Sequence, residues 1–210
     1  MRRLMTNIAV GLALVGCAVV AAVVGWEVGR PAQHKGPSAS ATLQQAVRTM
    51  EAAPSYHFSG QVAIGIEVLK LAGEFSAPDH LHETLTLVGG PPVERVVIGA
   101  VGYQRSATGW TRIAGASTTG DPRTTFNALA NATQVKASGS VYSFELTGTG
   151  AAALVSAAGP STAVSGTVTL ASGQIASLTY QSPAGAGTSV SFTYSAIGAT
   201  PPVTAPPGVT

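Results

Sequence analysis

Beyond its N-terminal apolar run this chain has no thiol: the one cysteine among 210 residues is Cys17, inside that run. The remainder can therefore form no disulfide, no zinc–thiolate site and no cysteine nucleophile. Charge is also scarce, at 10% of residues against about 25% in ordinary globular chains. The formal net charge is +2 and no basic cluster exceeds Arg2-Arg3, which excludes the electrostatic footprint of a nucleic-acid binder. After Glu145 no charged side chain occurs at all, and Ser and Thr carry the polarity. That predicts a solvated hydroxyl face over the last third of the chain. Aromatics are 6%, so much of the 45% apolar content is Ala and Val. With 25 Gly and 13 Pro, short strands and turns are expected over long helices. The length suits one domain of ordinary size.

What is present begins at the N-terminus. Arg2 and Arg3 precede a weakly polar to apolar stretch from Ile8 to Trp26. As a helix it would measure about 28 Å, close to a bilayer core. Positive charge ahead of the run places the N-terminus in the cytoplasm and the rest outside. Two attachments fit. Leu14-Val15-Gly16-Cys17 looks like a lipobox, which would make Cys17 a lipid-attachment residue. Yet Ala18 to Val24 stay apolar, and that length favours an uncleaved signal anchor. Either way, the chain divides into a signal anchor or lipoprotein signal region (1–30), a polar linker (31–40), one domain (41–207) and a short tail (208–210).

Within the domain, Leu43, Ala46, Val47 and Met50 recur at helical spacing before Pro54, and Ser40 or Thr42 is a fitting cap. From Tyr56 the period becomes two. Tyr56, Phe58, Val62, Ile64, Ile66 and Val68 share one face, and the phase flips near Leu69, which calls for a turn or bulge. Leu81, Leu85 and Leu87 continue in strand fashion up to Gly89-Gly90-Pro91-Pro92. Val93 to Tyr103 and Trp110 to Ile113 read as two further strands. Asp121-Pro122 opens a helix with Phe126, Leu129 and Ala130 on one face. Strands carrying Tyr142/Phe144/Leu146, Val164/Val168/Leu170, Ile175 to Tyr180 and Val190/Phe192/Tyr194 follow, with a short helix at Ala151–Ala158 and a proline-rich end from Thr200. The expected fold class is α+β, mainly β: one large curved antiparallel sheet with helices on one face, plus the N-terminal anchor helix.

An ordered series of short motifs carries a resemblance. Tyr56-His57-Phe58-Ser59-Gly60 follows the first helix, and Gly73-Glu74-Phe75-Ser76-Ala77-Pro78-Asp79 ends a strand. Ile98-Gly99 with Tyr103 and then Gly109-Trp110 come next, followed by Val164-Ser165-Gly166 and Ser172-Gly173-Gln174-Ile175. Tyr194-Ser195, Pro201-Pro202-Val203 and Ala205-Pro206 close the series. Over residues 41 to 207 the sequence resembles the actinobacterial LppX/LprG-type envelope lipoproteins, which share a LolA-like half-barrel. The resemblance implies an open sheet whose concave, helix-covered side holds the acyl chains of a lipid or glycolipid. It also implies envelope transport proteins as partners and no enzymatic activity.

Candidate chemistry is thin. His80 and His82 in Asp79-His80-Leu81-His82-Glu83 would share one face of a strand and could chelate a metal, but two ligands do not close a site. An exposed strand edge after the Pro-Asp turn explains them without one. No Gly-x-Ser-x-Gly elbow, P-loop or dinucleotide fingerprint occurs, so no catalytic residue, metal or cofactor is assigned. Tyr103 and Trp110 are most simply core aromatics. Asn131-Ala132-Thr133 matches a glycosylation sequon of low specificity.

The ligand-lining set expected from the helices and apolar strand faces is Leu43, Val47, Met50, Phe58, Val62, Ile64, Leu71, Phe75, Leu85, Tyr103, Phe126 and Leu129. The leading function is binding of a lipid or other hydrophobic ligand by an extracytoplasmic anchored protein, with carriage across the envelope. The alternative is an interaction or sensor module that docks a protein partner and has no ligand cavity.

Overall fold

A computed structural model describes residues 36–113, 122–155, 162–183 and 187–209. The anchor run, Cys17 and Asp121 lie outside the described residues. Among those described, no helix is long and apolar enough to cross a membrane.

Helix α1 spans Ala39–Glu51. It starts ahead of the expected caps Ser40 and Thr42, because Ser38 is the cap: its Oγ accepts a hydrogen bond from the Ala41 N–H at 3.2 Å. Leu43, Ala46, Val47 and Met50 form the buried stripe, and Pro54 stops the helix. Eleven strands then form one antiparallel sheet. They are β1 (Ser55–Ile64), β2 (Glu67–Ser76), β3 (His80–Leu87), β4 (Pro92–Ile98), β5 (Val101–Ser106), β6 (Gly109–Ile113), β7 (Thr133–Ser138), β8 (Val141–Leu146), β9 (Val164–Ala171), β10 (Gln174–Ser182) and β11 (Thr188–Ser195). Helices α2 (Pro122–Leu129) and α3 (Gly148–Leu154) interrupt the series.

The strand order is β6-β5-β4-β3-β2-β1-β11-β10-β9-β8-β7. Two meanders thus join where the first strand pairs with the last, His57 opposite Ser195 through Ile64 opposite Thr188. Among the described residues the edges β6 and β7 do not pair with each other, so the sheet is an open half-barrel. The helices lie on one face: α1 packs on α2, β10 and β7, and α2 on α3. Pro37–Thr210 is one compact unit with one contiguous core.

Several local readings are corrected. The phase flip is a tight hairpin: Gly65, at φ +59°, and Ile66 turn between Ile64 and Glu67. Val68 therefore pairs with Ala63 on the polar side, and Ile66 is fully exposed at the tip. The stretch Val93 to Tyr103 is two strands, broken where Gly99 adopts φ +59°. Strand β7 was not expected; its one partly buried apolar side chain, Val135, leaves no alternation to read. The proline-rich end is tied down as far as Val203. The Ser76 Oγ accepts from the Val203 N–H at 2.9 Å, and the His80 Nδ1–H donates to the Val203 carbonyl at 2.9 Å.

The core is built around a small aromatic group. Tyr56 stacks on Phe75 at 4.9 Å and meets Phe126 and Tyr194 edge-on at 6.0 and 5.9 Å. Burial pushes the Tyr180 phenol up to about 12. The Tyr194 phenol is raised well above its usual range, by burial first and by Tyr180 second.

Candidate functional site

Strand registers divide the sheet into two faces. The apolar face of β1–β4 is read in rows across the strands: Tyr56, Phe75, Leu81, Val97; then Phe58, Gly73, Glu83, Arg95; then Gly60, Leu71, Leu85, Val93; then Val62, Leu69, Leu87. In the second meander the same face carries Tyr194, Phe192, Val190, Leu178, Tyr180, Val168, Phe144 and Leu146. The helices cover only part of it. Tyr56, Phe58, Phe75, Leu81, Val97, Phe126 and Leu129 are at most 3% exposed. Towards the hairpin tips burial runs out: Val62, Leu85 and Leu69 are partly buried, while Leu87 is 48% and Ile64 53% exposed.

This gradient sorts the expected ligand-lining set. Leu43, Val47 and Met50 from α1, Phe126 and Leu129 from α2, and Phe58 and Phe75 from the sheet come together as close-packed core. Leu71 is buried on the same face, outside that cluster. Val62, Ile64 and Leu85 lie on the uncovered stretch of the same face. Tyr103 does not belong with the others. It pairs with Val96, which pairs with His82, so its half-exposed ring points from the opposite face. Trp110 is also there, its indole 5.8 Å from the Arg105 guanidinium. Neither is a core aromatic, because β5 and β6 at the sheet's edge put their alternate positions, Gly102 and Ile113, on the inner side.

The polar face carries the hydroxyls expected of the charge-poor C-terminal third: Ser165, Thr167, Thr179, Ser189, Ser191 and Thr193. Open grooves of about 580, 500 and 610 Å3 are lined largely by residues of this face. The first is lined by such Ser and Thr side chains with Lys136 and Glu145. The second is lined by Leu71, Ala72 and Phe192 as well as by Ser and Thr side chains.

The two histidines are on an interior strand, and the expected strand edge is absent: β3 lies between β2 and β4. His82 Nε2 meets Glu94 Oε1 at 2.9 Å, and Arg105 donates to the other Glu94 oxygen at 3.1 Å. The hydrogen bond from His82, with Arg105 adding to it, holds the Glu94 carboxyl below its usual range against the opposing effect of burial. His80 is committed to the chain end, as described. Among the described residues no group of three or more His, Cys, Asp and Glu side chains could hold a metal ion.

Reading the residues missed one pair on the apolar face. The Glu83 side chain is fully buried and paired with Arg95, whose side chain is 17% exposed. The signal was available: Glu83 shares the alternation of Leu81, Leu85 and Leu87, and Arg95 sits between Val93 and Val97.

No family model and no curated protein sequence matches the chain. Solved structures do. Mycobacterium tuberculosis lipoprotein LppX superposes with a TM-score of 0.60 at 13% identity, over 80% of this chain and 100% of that one. LprF from Mycobacterium bovis gives 0.56 at 14%, over 82% and 99%. The chain has the fold of LppX and LprF. The resemblance read from the motif series is matched at that level, and the expected half-barrel with helices on one face is the LppX-type architecture. At such identities the likeness establishes the LppX-type fold and no shared ligand.

Proposed function

We propose that the chain is an extracytoplasmic, membrane-anchored protein that binds a lipid or other hydrophobic ligand and carries it within the cell envelope. The observation that carries this reading is the partly covered apolar face. A soluble domain gains by burying aliphatic surface, at about 0.8 kcal/mol per methylene. Here Val62, Ile64, Leu69, Leu85 and Leu87 continue the core's own face outward without being enclosed. An acyl chain laid along them would extend the core and remove the exposed patch. The apolar run from Ile8 to Trp26, or a lipidated Cys17, supplies the anchor. The fold shared with a Mycobacterium tuberculosis lipoprotein supports the address. No residue is assigned a chemical step.

One observation favours the alternative, a module that docks an envelope protein through this sheet. Leu43, Val47, Met50, Phe126 and Leu129 are 1% exposed or less, so the helix-covered half is filled by its own side chains. Native mass spectrometry of residues 31–210 purified from a bacterial host separates the two. Co-purified acyl lipids are expected; a ligand-free protein that also fails to take up added acyl lipid would sink the carrier reading and leave the docking module.

A further inference from the structure

The uncovered face ends in two neighbouring turns that are apolar where turns are ordinarily polar. Between β1 and β2 the chain reverses at Gly65 and Ile66, and the Ile66 side chain is 100% exposed. Gly65, at φ +59°, supplies the positive φ that a two-residue turn needs. The next position asks for no apolar side chain, and Ser or Asn would serve it. Between β3 and β4 the turn opens with Val88, 62% exposed, and runs through Gly89 and Gly90. The two turns are joined, because the Val88 N–H donates at 2.9 Å to the carbonyl of Val68, two residues from Ile66. With Ile64 at 53% and Leu87 at 48% exposure, they make one aliphatic rim continuous with Val62, Leu69 and Leu85.

Size and charge suit this rim to a lipid surface. Four side chains fall well short of the roughly 800 Å2 per partner that a stable protein interface buries. Glu67 and Lys70, of opposite sign, are the only charges on residues 61–73 and 84–93, so the rim offers no complement to a charged partner. Its backbone is prepared for an apolar setting. The Gly65 N–H donates to the Gly187 carbonyl at 3.1 Å and the Gly90 N–H to the Leu87 carbonyl at 2.8 Å, which lowers the cost of leaving water.

The chain also brings a bilayer within reach. The apolar run ends at Trp26 and Ser38 caps α1, which leaves only Glu27 to Pro37 between them. Fully extended, that segment spans at most about 40 Å, little more than the length of β1 at about 33 Å. A domain on so short a tether meets the membrane at high effective concentration, and a small apolar contact then suffices.

We propose that Ile64, Ile66, Leu87 and Val88 form a membrane contact that seats the end of the uncovered face in the bilayer surface. Ligand would pass there between membrane and domain without crossing water. This contact rests on the reading of the chain as an anchored binder of a hydrophobic ligand, and adds the surface at which it meets the membrane.

Residues 31–210 contain no thiol, so a single introduced cysteine can carry an environment-sensitive NBD label. One label goes on Ile66→Cys. The reference goes on Ala100→Cys, in the exposed turn between β4 and β5 at the opposite ends of these strands. The protein is held on phosphatidylcholine vesicles by an N-terminal histidine tag and nickel-chelating lipid in place of its own anchor. The label at 66 should brighten, shift to the blue and be quenched by spin-labelled lipid, and the label at 100 should do none of these. Ile66→Asp combined with Val88→Asp changes only exposed positions. The pair should slow uptake of a pyrene-labelled fatty acid from vesicles about tenfold and leave the amount bound at saturation unchanged. Water-like emission from both labels, or uptake undiminished in the double variant, overturns the contact. If acyl lipid still co-purifies, the hydrophobic-ligand reading survives that failure. Brightening that follows protein concentration without vesicles assigns the rim to a second copy and also overturns the contact. A label at 66 that enters the bilayer in a protein taking up no acyl lipid upholds the contact and sinks the carrier reading instead.

Discussion

The ring of Phe144 on β8 occupies the space that a side chain on Gly166 of β9 would need. A Cβ at Gly166 would stand 2.6 Å from Phe144 Cζ and 2.3 Å from the Thr179 carbonyl oxygen. The same arrangement recurs at the centre of the sheet, where Gly60 lies under Phe192, its notional Cβ 2.5 Å from the ring. A glycine in a strand is weak by itself, and an aromatic laid across it from the paired strand restores packing and fixes register. Gly166→Ala should therefore destabilise the domain by about 1–3 kcal/mol. Urea unfolding followed by far-UV circular dichroism measures this, and a change under 0.5 kcal/mol would mean the strands part without cost.

The chain end is held by a buried side chain. Ser76→Ala removes the acceptor for the Val203 N–H in a position where Ser76 is only 5% exposed. The expected loss is about 1–3 kcal/mol, with faster proteolytic trimming back towards Thr200. Mass spectrometry after limited proteolysis reads the second effect, and an unchanged trimming rate would show that His80 alone suffices.

Alkaline pH should unfold the domain earlier than its composition suggests. A phenol whose folded pKa is raised leaves stability intact below the unfolded value near 10 and removes it as pH climbs towards the folded value. For Tyr180 that window runs from about 10 to about 12, with a loss on the order of 3 kcal/mol. Tyr194 shifts in the same direction. Tyrosinate absorbance should rise for these two residues only together with loss of secondary structure. Simple titration near pH 10 in the folded state would contradict their burial.

At the uncovered rim the prediction is functional. Ile64→Ser and Leu87→Ser replace side chains that are already about half exposed, so stability should change by no more than about 0.5 kcal/mol. The lipid-loaded fraction in native mass spectra should fall. Unaltered loading would place the ligand elsewhere.

The sequence alone determined the elements whose cause is local. Helix α1 follows from a stripe at 3.6 spacing and a proline stop. The strands of Tyr56 to Ile64 and Val190 to Tyr194 follow from alternation, and the hydroxyl face of the last third from the absence of charge. Composition also excluded thiol chemistry. What it left undecided depended on contacts distant in sequence. That Val96 opposes both His82 and Tyr103 turned Tyr103 to the polar face, because one residue of register reverses every side chain after it. Pairing of β1 with β11 brought His57 beside Ser195 and joined the two meanders into one sheet, which no local pattern encodes. Only the tertiary structure showed how far the helices cover the apolar face, since coverage depends on where α1 and α2 come to rest. Only it showed that Glu83, a strand carboxylate between leucines, keeps one oxygen buried without a donor.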